Sequence, residues 1–199
     1  MNHDFSSCRE LRDDLRDRVE LFLIHAKAGN GKTYTARLLQ KELEAKGYRV
    51  FEMPLARHMK NLLKDFFGYE DSKDYDGRKL LQNFGTNHIR NKFHVDFHID
   101  TLINDMLIVS SYVRSDKIAI IVPDVRFENE LLSLLWFGYS SDWETKSIYL
   151  ISDYYDEIVA DNEDLKKHPS EGEISVDFFS HVIYNGDNVK EQLEGLLDE

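Results

Sequence analysis

The sequence has few of the features that would place it in a membrane or an oxidising compartment. It holds one cysteine, Cys8, which excludes an intrachain disulfide and a cysteine-based zinc cluster. The longest apolar runs, residues 21–24 and 118–123, are far shorter than the ~20 residues that a membrane-spanning helix needs. The first residues, MNHDFSSCRELRDD, include acids and lack the apolar stretch of a signal peptide. We therefore expect a soluble protein of the cytoplasm.

Positive charge is scarce, and arginine is missing from the last third of the chain. The formal net charge of the 199 residues is -12 at pH 7, with 25 basic and 37 acidic residues. Residues 127–199 hold only four of the basic residues, and Arg126 is the last arginine. Because nucleic-acid binding needs a clustered basic surface, we expect no nucleic-acid partner. If the protein binds an anion, residues 1–126 must do so, and the acidic remainder is interpreted as a solvated face.

The hydrophobic pattern predicts strands that alternate with helices. Fully apolar strands in such an order are typical of a parallel sheet that helices cover on both faces. We therefore predict a single α/β domain with a mostly parallel, five-stranded sheet. Strands are predicted at 19–24, 48–52, 117–122, 146–151 and 181–184, and helices at 7–18, in the stretch that ends at Gly47, and at 55–67, 78–92, 95–114, 128–137 and 189–197.

A phosphate-binding pattern follows the first predicted strand. Residues 26–33 read AKAGNGKT and match G-x-x-x-x-G-K-[ST] at every fixed position except the first, where Ala26 replaces glycine. Small residues let consecutive N–H groups turn toward a phosphate, and the next helix points its positive end there. Lys32 is predicted on the β- and γ-phosphates of ATP, and the Thr33 hydroxyl on Mg²⁺. The predicted ATP-binding residues are Lys27, Gly29, Asn30, Gly31, Lys32 and Thr33.

A second polar group follows the strand predicted at 117–122. Asp124 stands at the carboxyl end of that strand, where ligands bind to sheets of this type. We predict that Asp124 supplies the acidic half of the magnesium site. Arg126, two residues later, has the planar guanidinium that binds a phosphate with two nitrogens. The alternative is a strand-to-helix turn with a surface ion pair.

Two further motifs carry a resemblance to a known family. Residues 80–87 read LLQNFGTN, and residues 121–130 read IVPDVRFENE. With the phosphate loop and Pro54, they resemble the bacteriophage deoxynucleoside monophosphate kinase family, whose pattern includes L-x-Q-x-x-G-T and V-P-D-x-R with a glutamate four residues beyond. HPSE at 168–171 and NGD at 185–187 extend the resemblance to about residues 19–197. Animal phosphomevalonate kinase shares part of this pattern.

The resemblance implies a P-loop kinase fold that transfers phosphate from Mg-ATP to a (deoxy)nucleoside monophosphate, in the cytoplasm of a phage-infected host. It implies a core at 19–52 and 115–199, an acceptor-binding helical segment at 53–114 and a lid-like loop at 152–170, preceded by the helix at 1–18. That helix could pack on its own core or on a neighbour in a homodimer. Phosphoryl transfer would rest on Lys32, Asp124 and Arg126. The implied acceptor-binding residues are Arg78, Gln82, Gly85, Thr86, Arg90, His98, Arg126 and Glu130.

The chain departs from the family pattern in several places. Ala26 is tolerated in the phosphate loop if its backbone needs no positive φ. Ala56 stands where the family often has a lysine, and His98 where an aromatic such as tryptophan is expected. The lid-like loop has no arginine, only Lys166 and Lys167. Two alternatives stay open: a P-loop kinase for another small phosphorylated acceptor such as phosphomevalonate, and a nucleotide-binding module that has lost catalysis.

Overall fold

Strands and helices alternate along the chain, as the hydrophobic pattern predicts. The computed structural model describes residues 18–27, 29–70, 74–153, 167–169, 172 and 174–198. The strands are β1 (Val19–His25), β2 (Arg49–Glu52), β3 (Ile118–Val125), β4 (Glu144–Ile151) and β5 (His181–Tyr184). The α-helices of the described ranges are α1 (Lys32–Ala45), α2 (Arg57–Phe67), α3 (Tyr75–Gln82), α4 (Phe97–Tyr112), α5 (Glu128–Ser140) and α6 (Val189–Leu196), with a π-helix at Asn83–Phe93.

The five strands form one sheet in the order β2-β3-β1-β4-β5. Every pairing is parallel, and β1 lies in the middle, with Leu21 opposite Ile120 of β3 and Thr145 of β4. The predicted α/β class with five parallel strands is therefore confirmed. Because the strands are parallel, their carboxyl ends meet at one edge, and the loop after β1 lies beside the end of β3.

Alternate residues of the central strands bury themselves against helices on opposite faces of the sheet. Leu21 and Leu23 of β1 pack with side chains of α4 and α5, among them Met106. Phe22 and Ile24 pack with α1 and α6 on the other face. All four strand side chains are fully buried, and their burial contributes about 1.5–3 kcal/mol each. This two-faced core fixes the positions of the loops at the carboxyl edge.

Strand β3 runs further than the sequence predicts, through Pro123 and Asp124 to Val125. Proline cannot donate a hydrogen bond to a neighbouring strand, which made Val122 the expected end. The structure accommodates Pro123 at an irregularity, since the register of β1 and β3 shifts between Leu23 and His25. On the other side, the pairing with β2 ends at Ile121. The missing N–H therefore falls where the ladder is already interrupted.

The helix predicted at 78–92 is two consecutive helices of different kinds. Helix α3 begins at Tyr75, three residues before the predicted start. The Asp74 carboxylate accepts the N–H of Gly77 at 2.8 Å and thereby caps the helix. After Gln82 the backbone widens into the π-helix, whose buried residues are Gly85, Thr86 and Ile89. π-Helices are rare and are often found at functional sites. This one lies in the motif that carries the family resemblance.

Two predicted segments lie wholly or mostly outside the described residues. These are the helix at 7–18, of which only Arg18 is described, and the lid-like loop at 152–170, which is described at 152–153 and 167–169. Among the helices of the described ranges, none combines the length and the apolar character that a bilayer crossing requires.

Candidate functional site

The loop between β1 and α1, the predicted phosphate loop, holds two glycines at positive φ. Gly29 and Gly31 have φ angles of 85° and 81°, a region that side chains rarely adopt. Gly31 is also the N-terminal cap of α1, and no side chain caps this helix end. The first N–H groups of a helix have no partner within the helix, and such helix ends are common anion-binding sites.

The backbone at Ala26 and the side chain of Lys32 complete the description of this loop. Asp142 is the one non-glycine residue with positive φ in the described part of the chain. Ala26 therefore does without positive φ, which confirms that alanine is tolerated there. The Lys32 ammonium folds back over the loop and donates to the carbonyl oxygens of Ala26 and of Lys27, the latter at 2.9 Å. Its positive charge lies where a phosphate would approach the loop.

Asn185 closes the other side of the phosphate loop, a contact that sequence reasoning missed. Its side-chain N–H₂ donates to the carbonyl oxygen of Asn30 at 3.0 Å. A Cβ placed on Gly31 would lie 2.1 Å from Asn185 Nδ2. Gly31 is thus required by its positive φ and by this close approach. The NGD motif at 185–187 was the only signal in the sequence, and it did not indicate which element it meets.

Asp124 ties the end of β3 to the start of the acceptor-binding segment. Its Oδ1 accepts the N–H of Leu55 at 2.7 Å, and its Oδ2 accepts that of Ala56 at 3.1 Å. These amides directly precede α2, where a negative charge is favourable. The carboxylate therefore has two partners that the sequence did not predict.

The residues predicted to hold Mg²⁺ are compatible with this ion. Each Asp124 oxygen keeps lone pairs beyond the one that a single N–H uses, and Thr33 is exposed in the first turn of α1. No group of three or more His, Cys, Asp or Glu side chains in the described ranges could hold a metal ion by itself. Mg²⁺ usually binds through one or two carboxylates, substrate phosphates and waters, so this donor set fits it.

Glu130 contacts Arg90 and accepts hydrogen bonds from the backbone that follows β3. Glu130 Oε2 accepts the N–H groups of Arg126 at 2.9 Å and of Phe127 at 3.1 Å. Arg90 Nη1 lies 3.5 Å from Glu130 Oε1. Burial raises the pKa of Glu130 to about 7, although the two N–H groups oppose the shift. The structure brings three predicted acceptor-binding residues together, but it engages Arg90 and Glu130 with protein partners.

Gly85 and His98 meet within residues 53–114, the segment predicted to bind the acceptor, which we call the acceptor side. A Cβ on Gly85 would lie 2.6 Å from Met59 Sδ of α2 and 3.9 Å from His98 Nε2 of α4. Burial lowers the pKa of His98 below its usual 6.5; the nearby Asp124 charge opposes this shift, and Arg90 adds to it. Burial therefore favours the neutral form of His98, which lies within electrostatic reach of Asp124.

The remaining predicted acceptor-binding residues lie on α3 and the π-helix. Thr86 is buried next to Gly85, and Gln82 is the residue at which α3 passes into the π-helix. Arg78 is half-buried on α3. No contact of these three side chains with the phosphate loop is among the described interactions, so their role in acceptor binding stays a prediction.

Solved structures with the same arrangement define the class of fold. The APS kinase of Mycobacterium tuberculosis, solved with AMPPNP and APS, has a TM-score of 0.53 at 11% identity over 91% of this chain and 96% of that one. For the Deinococcus radiodurans tunicamycin resistance protein the TM-score is 0.50 at 16% identity, with 90% and 96% covered. The chain therefore has a P-loop kinase fold. No protein-family model and no curated protein sequence matches the chain.

Proposed function

We propose that the protein is a kinase that transfers the γ-phosphate of Mg-ATP to a (deoxy)nucleoside monophosphate. The phosphate loop carries this proposal, because its two positive-φ glycines, the uncapped start of α1 and the folded Lys32 side chain form one anion-binding surface. The resemblance of residues 80–87 and 121–130 to the phage kinases supports the choice of acceptor.

The proposed mechanism assigns positioning and charge neutralisation to the chain's own residues. The loop N–H groups and Lys32 bind the β- and γ-phosphates, and Thr33 and Asp124 hold Mg²⁺ directly or through water. Mg²⁺ held there would supply positive charge against the charge that develops on the transferring phosphate. Arg126 binds the acceptor phosphate, because it follows Asp124 at the same edge of the sheet.

The acceptor segment contains residues to which the family resemblance assigns nucleotide binding. Its start is tied to Asp124, and its buried Gly85 packs closely against Met59, near His98. Aromatic rings of the same segment, Phe84 and Phe97, are available to stack on a base. The single cysteine and the acidic net charge support a cytoplasmic enzyme without a nucleic-acid partner.

An ADP-release assay with Mg-ATP and a panel of nucleoside and deoxynucleoside monophosphates tests the proposal. We expect turnover with one or a few of them. Lys32→Ala should lower that turnover by ~10²–10³-fold, because it removes a charge placed at the transferring phosphate. Lys41→Ala is the matched control, since Lys41 lies exposed on the same helix α1. It should retain wild-type turnover.

The other outcomes separate the alternatives. Turnover only with a phosphorylated non-nucleotide alcohol, again lost in Lys32→Ala, would keep the kinase and replace the acceptor. Tight ATP binding without transfer to any acceptor would contradict the proposal and favour a nucleotide-binding module without catalysis. Wild-type turnover in Lys32→Ala would remove Lys32 from the mechanism.

A further inference from the structure

Arg90 lies on the acceptor side, yet its guanidinium is turned toward the loop after β3. Its Nη2 donates to Asn129 Oδ1, and its Nη1 donates to the carbonyl oxygen of Val95 at 3.4 Å and lies 3.5 Å from Glu130 Oε1. The plane of the group lies 3.9 Å from the centre of the Phe127 ring. Only 12% of the side chain is exposed. The contact with the Phe127 ring and the directed hydrogen bonds together fix the position of the guanidinium.

Glu130 is the second half of the same contact. One carboxylate oxygen accepts the backbone N–H groups of Arg126 and Phe127, and the other faces Arg90. Its side chain is 5% exposed. Removing one partner of a buried polar contact leaves the other group without a hydrogen-bond partner, so each residue depends on the other. The Glu130 carboxylate thereby holds the backbone of Arg126 in place.

These contacts join two parts of the molecule that have different functions. Arg90 belongs to the π-helix, together with Gly85 and Thr86. Glu130 belongs to α5 and accepts the N–H of Arg126, the residue that follows β3. Val125, the last residue of β3, pairs with His25, which precedes the phosphate loop. The position of the π-helix relative to Arg126 is therefore set by side-chain contacts within the protein. Asn129 extends the contact to Asp96, at 2.9 Å, just before α4.

We propose that Arg90 and Glu130 are positioning residues, which hold the acceptor-binding π-helix in register with Arg126 and do not bind the acceptor phosphate themselves. The inference rests on the proposed function, since it concerns the geometry of phosphoryl transfer at that site. It replaces the substrate-contact role that the sequence pattern predicts for both residues. A misplacement of about 1 Å between reacting groups can cost ~10²-fold in rate.

A double-mutant cycle on the full-length protein tests this inference. Arg90→Gln and Glu130→Gln should each lower kcat/KM for the nucleoside monophosphate by ~10²-fold and leave KM for ATP unchanged. The double variant should be no worse than the more damaged single variant, because both remove the same contact. Arg90→Lys should rescue little, since an ammonium lacks the planar stacking and the paired nitrogens. Arg114→Gln and Glu128→Gln, both exposed, are the controls and should behave as wild type.

Other kinetic results would overturn the inference. Multiplicative losses in the double variant, with partial activity in Arg90→Lys, would mean that Arg90 binds the acceptor phosphate directly. A lower melting temperature with unchanged kinetic constants in the folded protein would mean that the contact is only structural.

Hydrogen exchange provides a test that needs no turnover, so it separates this inference from the proposed function. In Arg90→Gln, the amides of Arg126 and Phe127 should lose protection, although the substitution lies on a different element. Amides in the middle of β1, such as that of Phe22, should keep theirs. Unchanged protection at Arg126 and Phe127 would overturn the inference whether or not the wild-type protein transfers phosphate. Absence of transfer in a wild-type protein with the expected exchange pattern would contradict the proposed function alone.

Discussion

The phosphate-loop side and the acceptor side of this molecule are stabilised by different interactions. Around the phosphate loop, β1 and α1 belong to a core whose central side chains are fully buried on both faces of the sheet. On the acceptor side, α2 and the π-helix share a cluster of four buried residues, Met59, Leu63, Tyr69 and Ile89. Large apolar side chains nearby stay outside, with Phe66 75% and Phe93 78% exposed.

Polar contacts compensate for the small apolar cluster on the acceptor side. Asp124 holds the start of α2 through two N–H groups, and Arg90 holds the π-helix against Glu130. Regions with few buried apolar contacts open at lower free energy than the central strands of a core. We therefore expect the phosphate-loop side to be the more rigid part and the acceptor side to open at lower free energy.

Gly31→Ala breaks the phosphate-loop side and has the largest expected effect. We expect kcat/KM for ATP to fall by ~10²-fold, because a Cβ would strain the backbone at φ 81° and displace Asn185 from the loop. Gly47→Ala is the matched control, with φ 87° and nothing within 4 Å of the added Cβ. Both variants should lose about 1–2 kcal/mol of stability through φ strain. Equal kinetic constants in the two variants would contradict the role of the Gly31–Asn185 contact.

The pH dependence of the free energy of unfolding tests the contact between Arg90 and Glu130 on the acceptor side. Burial raises the pKa of Glu130 to about 7 from 4.5, so the folded state holds this proton more tightly than the unfolded state. The contribution of Glu130 to the free energy of unfolding should therefore fall by about 3 kcal/mol as the pH rises from 4.5 to 7. Urea unfolding of the wild type and of Glu130→Gln between pH 4.5 and 7 measures this contribution as the difference between their free energies of unfolding. A difference between the two proteins that is constant with pH would contradict the expectation.

Gly85→Ala tests whether the acceptor side adjusts. The added Cβ would lie 2.6 Å from Met59 Sδ, the end of a flexible side chain, so the cost is limited to about 1–3 kcal/mol. We expect a higher KM for the nucleoside monophosphate and an unchanged KM for ATP in steady-state kinetics. Gly195→Ala on α6 has open space around the added Cβ and should gain about 0.5–1 kcal/mol of stability. If Gly85→Ala changed KM for ATP and left KM for the nucleoside monophosphate unchanged, Gly85 would not belong to the acceptor side.

Asn185→Ala, on the phosphate-loop side, has the smallest expected effect of these substitutions. It removes the hydrogen bond to the Asn30 carbonyl, worth about 1 kcal/mol, so the dissociation constant of ATP should rise roughly fivefold. Asn188→Ala is the control, because its side chain bonds only locally to Gln192 among the described contacts. Isothermal titration with an ATP analogue measures both. Equal affinities in the two variants would mean that the Asn185 contact does not shape the loop.

Much of the phosphate-loop side was predictable because local sequence determines it. A run of small residues between an apolar strand and an amphipathic helix specifies the turn, and the order of strands and helices specifies a parallel sheet. The tolerance of Ala26 followed from the same reasoning, since only positions with positive φ require glycine. Secondary structure was less predictable around Pro123 and Gln82, where a bulge and a π-helix depend on neighbouring elements.

The sequence by itself determined that the chain would form an α/β fold with a small-residue loop after β1 and an acidic residue at the carboxyl end of β3. Only the tertiary structure decided which groups those residues meet. Asp124 bonds residues 69 and 68 positions away, and Asn185 bonds one 155 positions away. Such partners depend on the strand order, which puts β3 between β1 and β2 and β5 at the other edge. Strand order arises from the packing of the whole core, so local patterns carry little information about it.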